Sequence, residues 1–567
     1  MRSNSTSYWE SNSIPRRRVL QSLGAGATVV VAGCSGDGGQ TTNTTASDGG
    51  ATPNEDGRET SQTSTDEPQS QEGGTLRVLQ SNSPPDFDPV KGLGISSAII
   101  GEKAFSTLYN YDSELNLVSD QLTTGMPDTE NDGKRWIVEI VDGATFHNGD
   151  PVTAEDVVYS FTAPREEGSW VASTWSMVDT VEAVDETTVQ FDLQFSYGAF
   201  GHALAAMQIV PKAVRERDTE KFAVEQPIGS GPFRITKFNE GEITRLERWD
   251  DYWGDRTPNL DVVEFVPVKE STTRVTEFKT TEAGLMKDVP TKLYDTVQNI
   301  SDGTIQSAQA LNYGFVSFNL KAGETTKPEV REAIDHCVDL SQVAEKFWKP
   351  VGVRQYQPMP TALAKSWDMP LDEFESMAVG KDIDKAKSLF EEANVPDDWT
   401  CRMIYEPLEP IKQMMVSIAN GIKEAGYDAE VVTLDRGTFL ERFTTGDPND
   451  YNIYSLDWGL SPNPDYQIYN MYHESGAGAN QGHYWSDDEA MEMIEQARRS
   501  TDRDERRQLY ADIQRMVIEQ RVQMPAYSMK SVWGVKDFVK DFAVSPLTDK
   551  NPRLLTESNN VYVETDG

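Results

Sequence analysis

From residue 74 to about residue 268, short runs alternate apolar and polar positions with a period of two. Thr75–Leu79, Trp136–Val141, Thr188–Leu193, Phe233–Phe238, Thr244–Arg248 and Val262–Val268 therefore predict strands. Beyond residue 268 helical spacing becomes commoner. Pro328–Val338, Asp384–Ala393, Ile411–Ala425, Asp487–Arg499 and Asp504–Gln520 predict helices, with strands at Asp428–Leu434 and Tyr451–Leu456 between them. Thr153 with Asp156, Ser486 with Glu489, and Thr501 with Asp504 have the spacing of capping boxes, the first opening a helix at Asp156–Phe161. Strands alternating with helices indicate α/β architecture. No internal repeat is visible.

The first 73 residues follow a different pattern. Arg16, Arg17 and Arg18 precede an apolar run from Val19 to Ala32, which ends at Gly33-Cys34. A positive start, a short apolar core and a small-residue exit make an export signal, too short for a membrane span of ~20 residues. The paired arginines resemble a twin-arginine signal, and Val31-Ala32-Gly33-Cys34 resembles a lipobox, in which Cys34 takes the lipid. The other reading is a signal cut nearby, with Cys34 incidental. Ser35–Gly73 has no Val, Ile, Leu, Met, Phe, Tyr or Trp, so it cannot bury enough surface to offset its ordering entropy. Residues 1–33 thus read as signal and 34–73 as a disordered tether.

Composition narrows the function. Asp and Glu number 92 against 52 Lys and Arg, a formal charge of −40. That excludes a duplex nucleic-acid binder, which needs a basic face, and suggests a high-salt habitat that screens self-repulsion. With 567 residues, two or more domains are expected. Three cysteines exclude a disulfide scaffold and a four-cysteine zinc site.

Several segments, in order, resemble the dipeptide/oligopeptide/nickel type of extracytoplasmic solute-binding protein of ABC importers. They are Leu117–Leu122, the run from Asp142 to Val157 with His147-Asn148-Gly149-Asp150-Pro151 inside it, Pro227–Phe233, Asp251-Tyr252-Trp253-Gly254, Val330–Asp335, and the stretch from Asp457-Trp458 to Pro464-Asp465. The resemblance spans residues 74–550. It implies a two-lobed, periplasmic-binding-protein-like (class II) fold with a hinge, the first lobe enlarged by an extra subdomain. Residues 74–267 plus 530–567 would form lobe 1, and 268–529 lobe 2. The lobes would close on a solute without making or breaking a bond, and the closed form would dock on permease subunits served by cytoplasmic ATPases. The implied molecule is a monomer without cofactor or metal, held by lipid at Cys34 on the outer face of the cytoplasmic membrane.

For the ligand, Trp458 occupies the family's cleft tryptophan position. Tyr451, Tyr454, Tyr466, Tyr469, Tyr472, Tyr484 and Trp485 crowd the same window, most of them as core or surface residues. Asp457, Asn463, Asp465, Asn312 and Tyr313 are further candidates, and Trp170 and Trp175 are the candidates from the first lobe. Peptide binders of the family carry an aspartate three residues past the cleft tryptophan, paired with the peptide's amino terminus. Here Ser461 stands there. An ammonium without a carboxylate is costly in a dry cleft. Asp457 or Asp465 could substitute, or the solute could be an opine, a sugar or another polar metabolite.

Other motifs read as structure. Asp128–Glu139 nearly fits a calcium loop, but Trp136–Val141 alternates like a strand, which favours a hairpin turn. His147 reads as a hydrogen-bonded turn residue, Gly229 and Gly231 as suppliers of turn conformations, and Cys337 (on a helix) and Cys401 (in a strand) as packed thiols. His473 and His483 lack the spacing of a metal pair. Asn43 and Asn299 lie in glycosylation sequons. A tethered hydrolase would need a nucleophile with its base, or a metal cluster, and the sequence shows neither. A sensory ligand-binding module would share the fold and differ in its partner.

Overall fold

Residues Tyr313 to Phe318 are buried without a break. A strand with no polar face has to lie inside a sheet covered on both sides. A computed structural model describes residues 73–459 and 461–564. The export signal with Arg16 and Arg17, the lipidation position Cys34, the sequon at Asn43 and the tether up to residue 72 lie outside the described residues.

The strands that build the body, in chain order, are β1 (Thr75–Gln80), β2 (Asp128–Glu130), β3 (Arg135–Glu139), β4 (Val178–Ala183), β5 (Thr188–Leu193), β6 (Phe233–Lys237), β7 (Thr244–Arg248) and β8 (Val262–Pro267). They continue with β9 (Leu285–Lys287), β10 (Gly303–Gln309), β11 (Asn312–Phe318), β12 (Gly352–Arg354), β13 (Thr400–Tyr405), β14 (Asp428–Thr433), β15 (Ile453–Gly459) and β16 (Gln523–Lys536). The helices used below are α1 (Ile95–Ala104), α2 (Ala154–Glu166), α3 (Pro328–Asp335), α4 (Ile383–Glu392), α5 (Glu409–Glu424), α6 (Pro464–Tyr472), α7 (Asp488–Arg499) and α8 (Arg503–Glu519).

Twelve strands form one mixed sheet in the order β14-β13-β15-β11-β16-β9-β1-β8-β7-β6, with β10 and β12 also pairing to β16. The 14-residue β16 joins its two halves. Up to Met529 it pairs with β11 and β12, and from Lys530 onward with β10 and β9. At one end β13, α5 and β14 make a parallel βαβ unit. At the other, β1 runs parallel to β8 and β9. A second sheet, ordered β2-β3-β5-β4, is a smaller unit carrying α2. Its β5 buries Val189, Phe191 and Leu193 while the residues between them stay part-exposed, the half-buried alternation read from the sequence.

Local signals explain much of this. The Thr153 capping box holds the start of α2, with Thr153 N–H on Asp156 Oδ2 at 3.0 Å. Asp128–Glu139 is a hairpin, β2 antiparallel to β3, turning through Asn131, Asp132 and Gly133, all at positive φ. His147 donates from Nε2 to Gly231 O (2.9 Å) and accepts Gly229 N–H at Nδ1 (3.2 Å), so it staples a turn. Burial pulls its pKa down to about 4, which keeps it neutral and able to accept.

Three expectations need correction. The caps of α7 and α8 are Asp487 and Asp502, one residue beyond Ser486 and Thr501. Asp502 accepts from two backbone N–H groups, at 2.8 and 3.0 Å, and a carboxylate does this better than a hydroxyl. Cys337 lies past the end of α3, in the turn, where burial pushes its thiol up to about 12. Gly229 and Gly231 do not take left-handed turn conformations. They permit close packing: a Cβ on Gly229 would stand 2.0 Å from Ala104 O, at the end of α1, and one on Gly231 2.6 Å from Lys103 O.

Gly229→Ala therefore forces backbone from backbone, and should destabilise the protein by about 1–3 kcal/mol. Gly125→Ala, where nothing lies within 4 Å, should change stability by under ~0.5 kcal/mol. Paired thermal melts of the two variants check this.

Candidate functional site

The last residues of β15 carry the site candidates, and strand register decides what each one faces. Asp457 stands opposite Gly314 of β11, Trp458 opposite Tyr313, and Gly459 opposite Asn312. Gly314 in turn pairs with Tyr527 of β16, and Tyr527 with Arg354 of β12. Asp457, Gly314, Tyr527 and Arg354 thus form one row across four strands. A Cβ on Gly314 would lie 2.2 Å from Tyr527 Cζ and 2.6 Å from Asp457 Oδ1. The missing side chain lets the Tyr527 phenol lie across β11 and donate to Asp457.

Asp457 reaches solvent but is hemmed in by protein. Desolvation, opposed by the Tyr527 hydroxyl and helped by Glu406, pushes its carboxyl up to about 6. Arg354 is not its counter-charge. That guanidinium donates to the carbonyls of Gln355, Pro525 and Ala526 and lies 4.5 Å from the Tyr356 ring centroid. Burial pulls its pKa down to about 10.

Trp458 points to the other face of the strand and stacks on Tyr466, with centroids 5.7 Å apart. Its indole Nε1 is covered and has no hydrogen-bond partner, a rare state for a buried donor. Tyr313 is core: its hydroxyl meets those of Tyr472 (3.2 Å) and the Gln523 amide (3.4 Å). Asn312 anchors the strand end, accepting Met529 N–H at 3.0 Å on Oδ1. Trp175 is also packed, with Nε1 on Ala203 O at 3.1 Å and its ring edge-on to Phe161. Trp170 is 54 % exposed. Of the other aromatics in the window, Tyr451, Tyr454, Tyr472 and Trp485 are buried.

Asn463 and Asp465 are brought to a contact between elements. Asn463 caps α6, accepting Asp465 N–H at 3.0 Å, and its own N–H rests on Ser461 Oγ at 3.3 Å. Asp465 Oδ2 accepts both the Tyr197 hydroxyl and Arg498 Nη1, each at 3.0 Å. Arg498 lies 3.8 Å from the Tyr469 ring centroid. Tyr197 sits in the loop after β5, and that loop also meets the α7–α8 junction through Gly198 N–H on Arg498 O (3.1 Å) and Ser196 Oγ on Arg499 O (2.7 Å). Asp465 is therefore already neutralised, and Ser461 serves a turn.

Sequence reasoning missed Asp549 and Lys550. With Trp170, Thr174, Gln208 and Leu93 they line a cavity of about 270 Å³. Their turn is rigid. Ser545 N–H and Asn551 Oδ1 are 3.0 Å apart, Asn551 Nδ2 reaches Ser545 O at 2.8 Å, and Lys103 Nζ donates to Lys550 O at 2.9 Å. Leu311 N–H bonds Pro546 O at 3.3 Å, which sets the turn beside the start of β11. Burial pushes the Asp549 carboxyl up and the Lys550 ammonium down. The only local hint was a charged pair inside a proline-bounded turn. Among the described residues, no group of three His, Cys, Asp or Glu could hold a metal ion, and no helix is long and apolar enough to cross a membrane.

A twelve-stranded mixed sheet, a four-stranded antiparallel sheet and recesses lined by aromatic and charged groups are the frame of an α/β binding protein. Residues 118–479 match the model of bacterial extracellular solute-binding proteins, family 5 (Middle), and the chain belongs to that family. It is similar to the oligopeptide-binding protein AppA of Bacillus subtilis (strain 168), at 23 % identity over 506 residues, covering 84 % of this chain and 90 % of the relative. The solved AppA structure, in complex with a nonapeptide, matches with TM-score 0.68 and 22 % identity, covering 87 % of this chain and 100 % of that one. AgaA of A. tumefaciens R10, in complex with agropinic acid, matches with TM-score 0.68 and 22 % identity, covering 87 % and 99 %. The fold is accordingly the two-lobed α/β fold of the periplasmic binding proteins.

Two measurements follow. The Asp457 carboxyl titrates near 6 in the folded protein, above its ordinary 3.8, so its ionisation opposes folding increasingly from about pH 4 to pH 6 and fully above. Asp457→Asn should raise the melting temperature at pH 7, with the gain gone at pH 4. Tyr197→Phe leaves the Asp465–Arg498 pair intact but removes one hydrogen bond to a charged group, worth ~1.5–3 kcal/mol. Hydrogen exchange of residues 195–200 should speed up while that of β13–β14 stays unchanged.

Proposed function

We propose that this chain is the capture component of an ABC importer, holding a peptide or another small polar solute between two closing lobes and releasing it to membrane permease subunits driven by cytoplasmic ATPases. The observation that carries the reading is the family match over residues 118–479. AppA is named for oligopeptides and AgaA was solved with agropinic acid, so peptides and opines frame the solute class. The proposed lobes are 74–267 with 530–567, and 268–529, and β16 with the Tyr197–Asp465 contact would connect them. Trp458 and Asp457 at the end of β15, with Trp170 on the first lobe, are the proposed ligand-facing residues.

Binding of this kind is a population shift. A solute favours the closed form only through contacts it makes better there than in the open form. No bond is made or broken, and the protein works as a monomer. The twin-arginine signal at Arg16 and Arg17 would export the chain, and lipid on Cys34 would hold it outside the membrane on its tether.

A cognate solute should raise the melting temperature with the logarithm of its concentration, by about 2.7 kcal/mol of stability at a hundredfold excess over Kd. Mass spectrometry of the same mixture should recover the solute unaltered; a converted product would refute capture. Cys34→Ala should move the protein from the detergent phase to the aqueous phase in a Triton X-114 partition.

A further inference from the structure

We infer that Asn299 is an N-glycosylation site, its side-chain amide carrying an oligosaccharide on the outer face of the membrane. The inference is independent of which solute the protein captures, and it rests on the proposed export of the chain.

Of the asparagines from residue 73 to 564, Asn299 alone is followed two positions later by Ser or Thr, and the residue between them is not proline. The structure places this triplet where an enzyme can reach it. The short helix Tyr294–Gln298 ends at Asn299, whose φ of −100° and ψ of 20° leave the helix. Asn299 and Ser301 are both exposed. Ile300, between them, is half-buried and packs on the apolar cluster that contains Phe278 and Val297. The middle residue thus anchors the turn, and the two residues that a glycosyl transferase has to read face solvent. Asn299 Nδ2 donates one hydrogen to Asp295 O at 2.6 Å. A carboxamide nitrogen carries two, so a second is left for substitution.

The transfer balances with one co-reactant, a lipid-linked oligosaccharide whose first sugar is held through phosphate. A membrane transferase joins sugar C1 to Asn299 Nδ2 and breaks the C1–O bond. The lipid phosphate leaves with the electron pair of that bond, and one Nδ2 proton passes to a base of the transferase. The other N–H keeps its bond to Asp295 O, so the product needs no rearrangement of the helix end. Position also fits function. Gly303, where the turn enters β10, pairs with Lys536, and Asp302 ties the turn to Lys536 Nζ at 2.6 Å. Tyr527, which meets Asp457, lies nine residues back along β16, roughly 25–30 Å at the usual rise of a strand. A glycan on Asn299 therefore stands clear of Asp457. It also stands beside β10, which pairs with β16 alone among the described residues. A bulky polar group there shields an open strand edge from pairing with another chain.

The test is mass spectrometry of the full-length protein purified from the membranes of its own host. Trypsin releases Leu293–Lys321 as one peptide, because no Lys or Arg lies inside it. At least half of these peptides should carry the added mass of an oligosaccharide, with fragment ions placing it on Asn299. Asn299→Gln and Ser301→Ala should each abolish the added mass, while Ser301→Thr, which keeps the hydroxyl, should retain it. An unchanged melting temperature in Ser301→Ala would tie the loss to acceptor chemistry rather than to misfolding. A bare peptide from the wild type, an added mass that survives Asn299→Gln, or loss with Ser301→Thr as complete as with Ser301→Ala overturns the assignment and leaves capture untouched. A chain that keeps residues 1–33 and stays inside the cell overturns the assignment and the export reading together.

Discussion

The body is organised around one obligation, that the backbone groups of β16 be paired along its whole length. Fourteen residues cannot be satisfied by one neighbour, because no other strand among the described residues is that long. The chain solves this with four: β11 and β12 beside the first half, β10 and β9 beside the second. The change of partner at Met529–Lys530 makes two half-sheets continuous through a single strand. In the proposed capture cycle this is where a small change of backbone angle would be amplified into a large displacement of the outer strands, while the hydrogen bonds on either side stay whole.

This constraint also shows why part of the fold was legible and part was not. Thr188–Leu193 and Thr244–Arg248 match their predicted strands to the residue, because each has one buried and one exposed face. The β16 sequence has no such contrast. It is buried almost throughout, and it contains Pro525 and Gly534, which argue against a central strand. The sheet tolerates Pro525 because the register with β11 slips there: Gly314 pairs with Tyr527 and Phe315 with Pro525, leaving Ala526 in a bulge. The helix caps were displaced for a simpler reason. Ser486-Asp487 and Thr501-Asp502 each offer two capping side chains in a row, and spacing alone cannot choose between them.

The site divides the same way. Trp458 was reachable through an ordered series of motifs, but Asp549 and Lys550 were not. They share a cavity with Trp170, several hundred residues earlier, and sit on a turn fixed by Ser545 and Asn551. Neither local pattern nor charge count reveals which of 92 acidic residues lines a recess. Asp465 shows the converse. Its place near Trp458 made it a candidate for an ammonium, yet Arg498 and Tyr197 already occupy it.

That occupied carboxylate bears on how capture could be tuned. If Tyr197 and Asp465 belong to different lobes, their hydrogen bond forms only on closing, and it favours the closed form whether or not a solute is present. A ligand's apparent affinity rises with the fraction of protein already competent to hold it. A contact worth ~1.5–3 kcal/mol shifts that balance by one to two orders of magnitude. It does so without favouring one solute over another, since neither residue is among those proposed to face the solute. Closure strength then resides in a paired charge that stands apart from the residues proposed to face the solute.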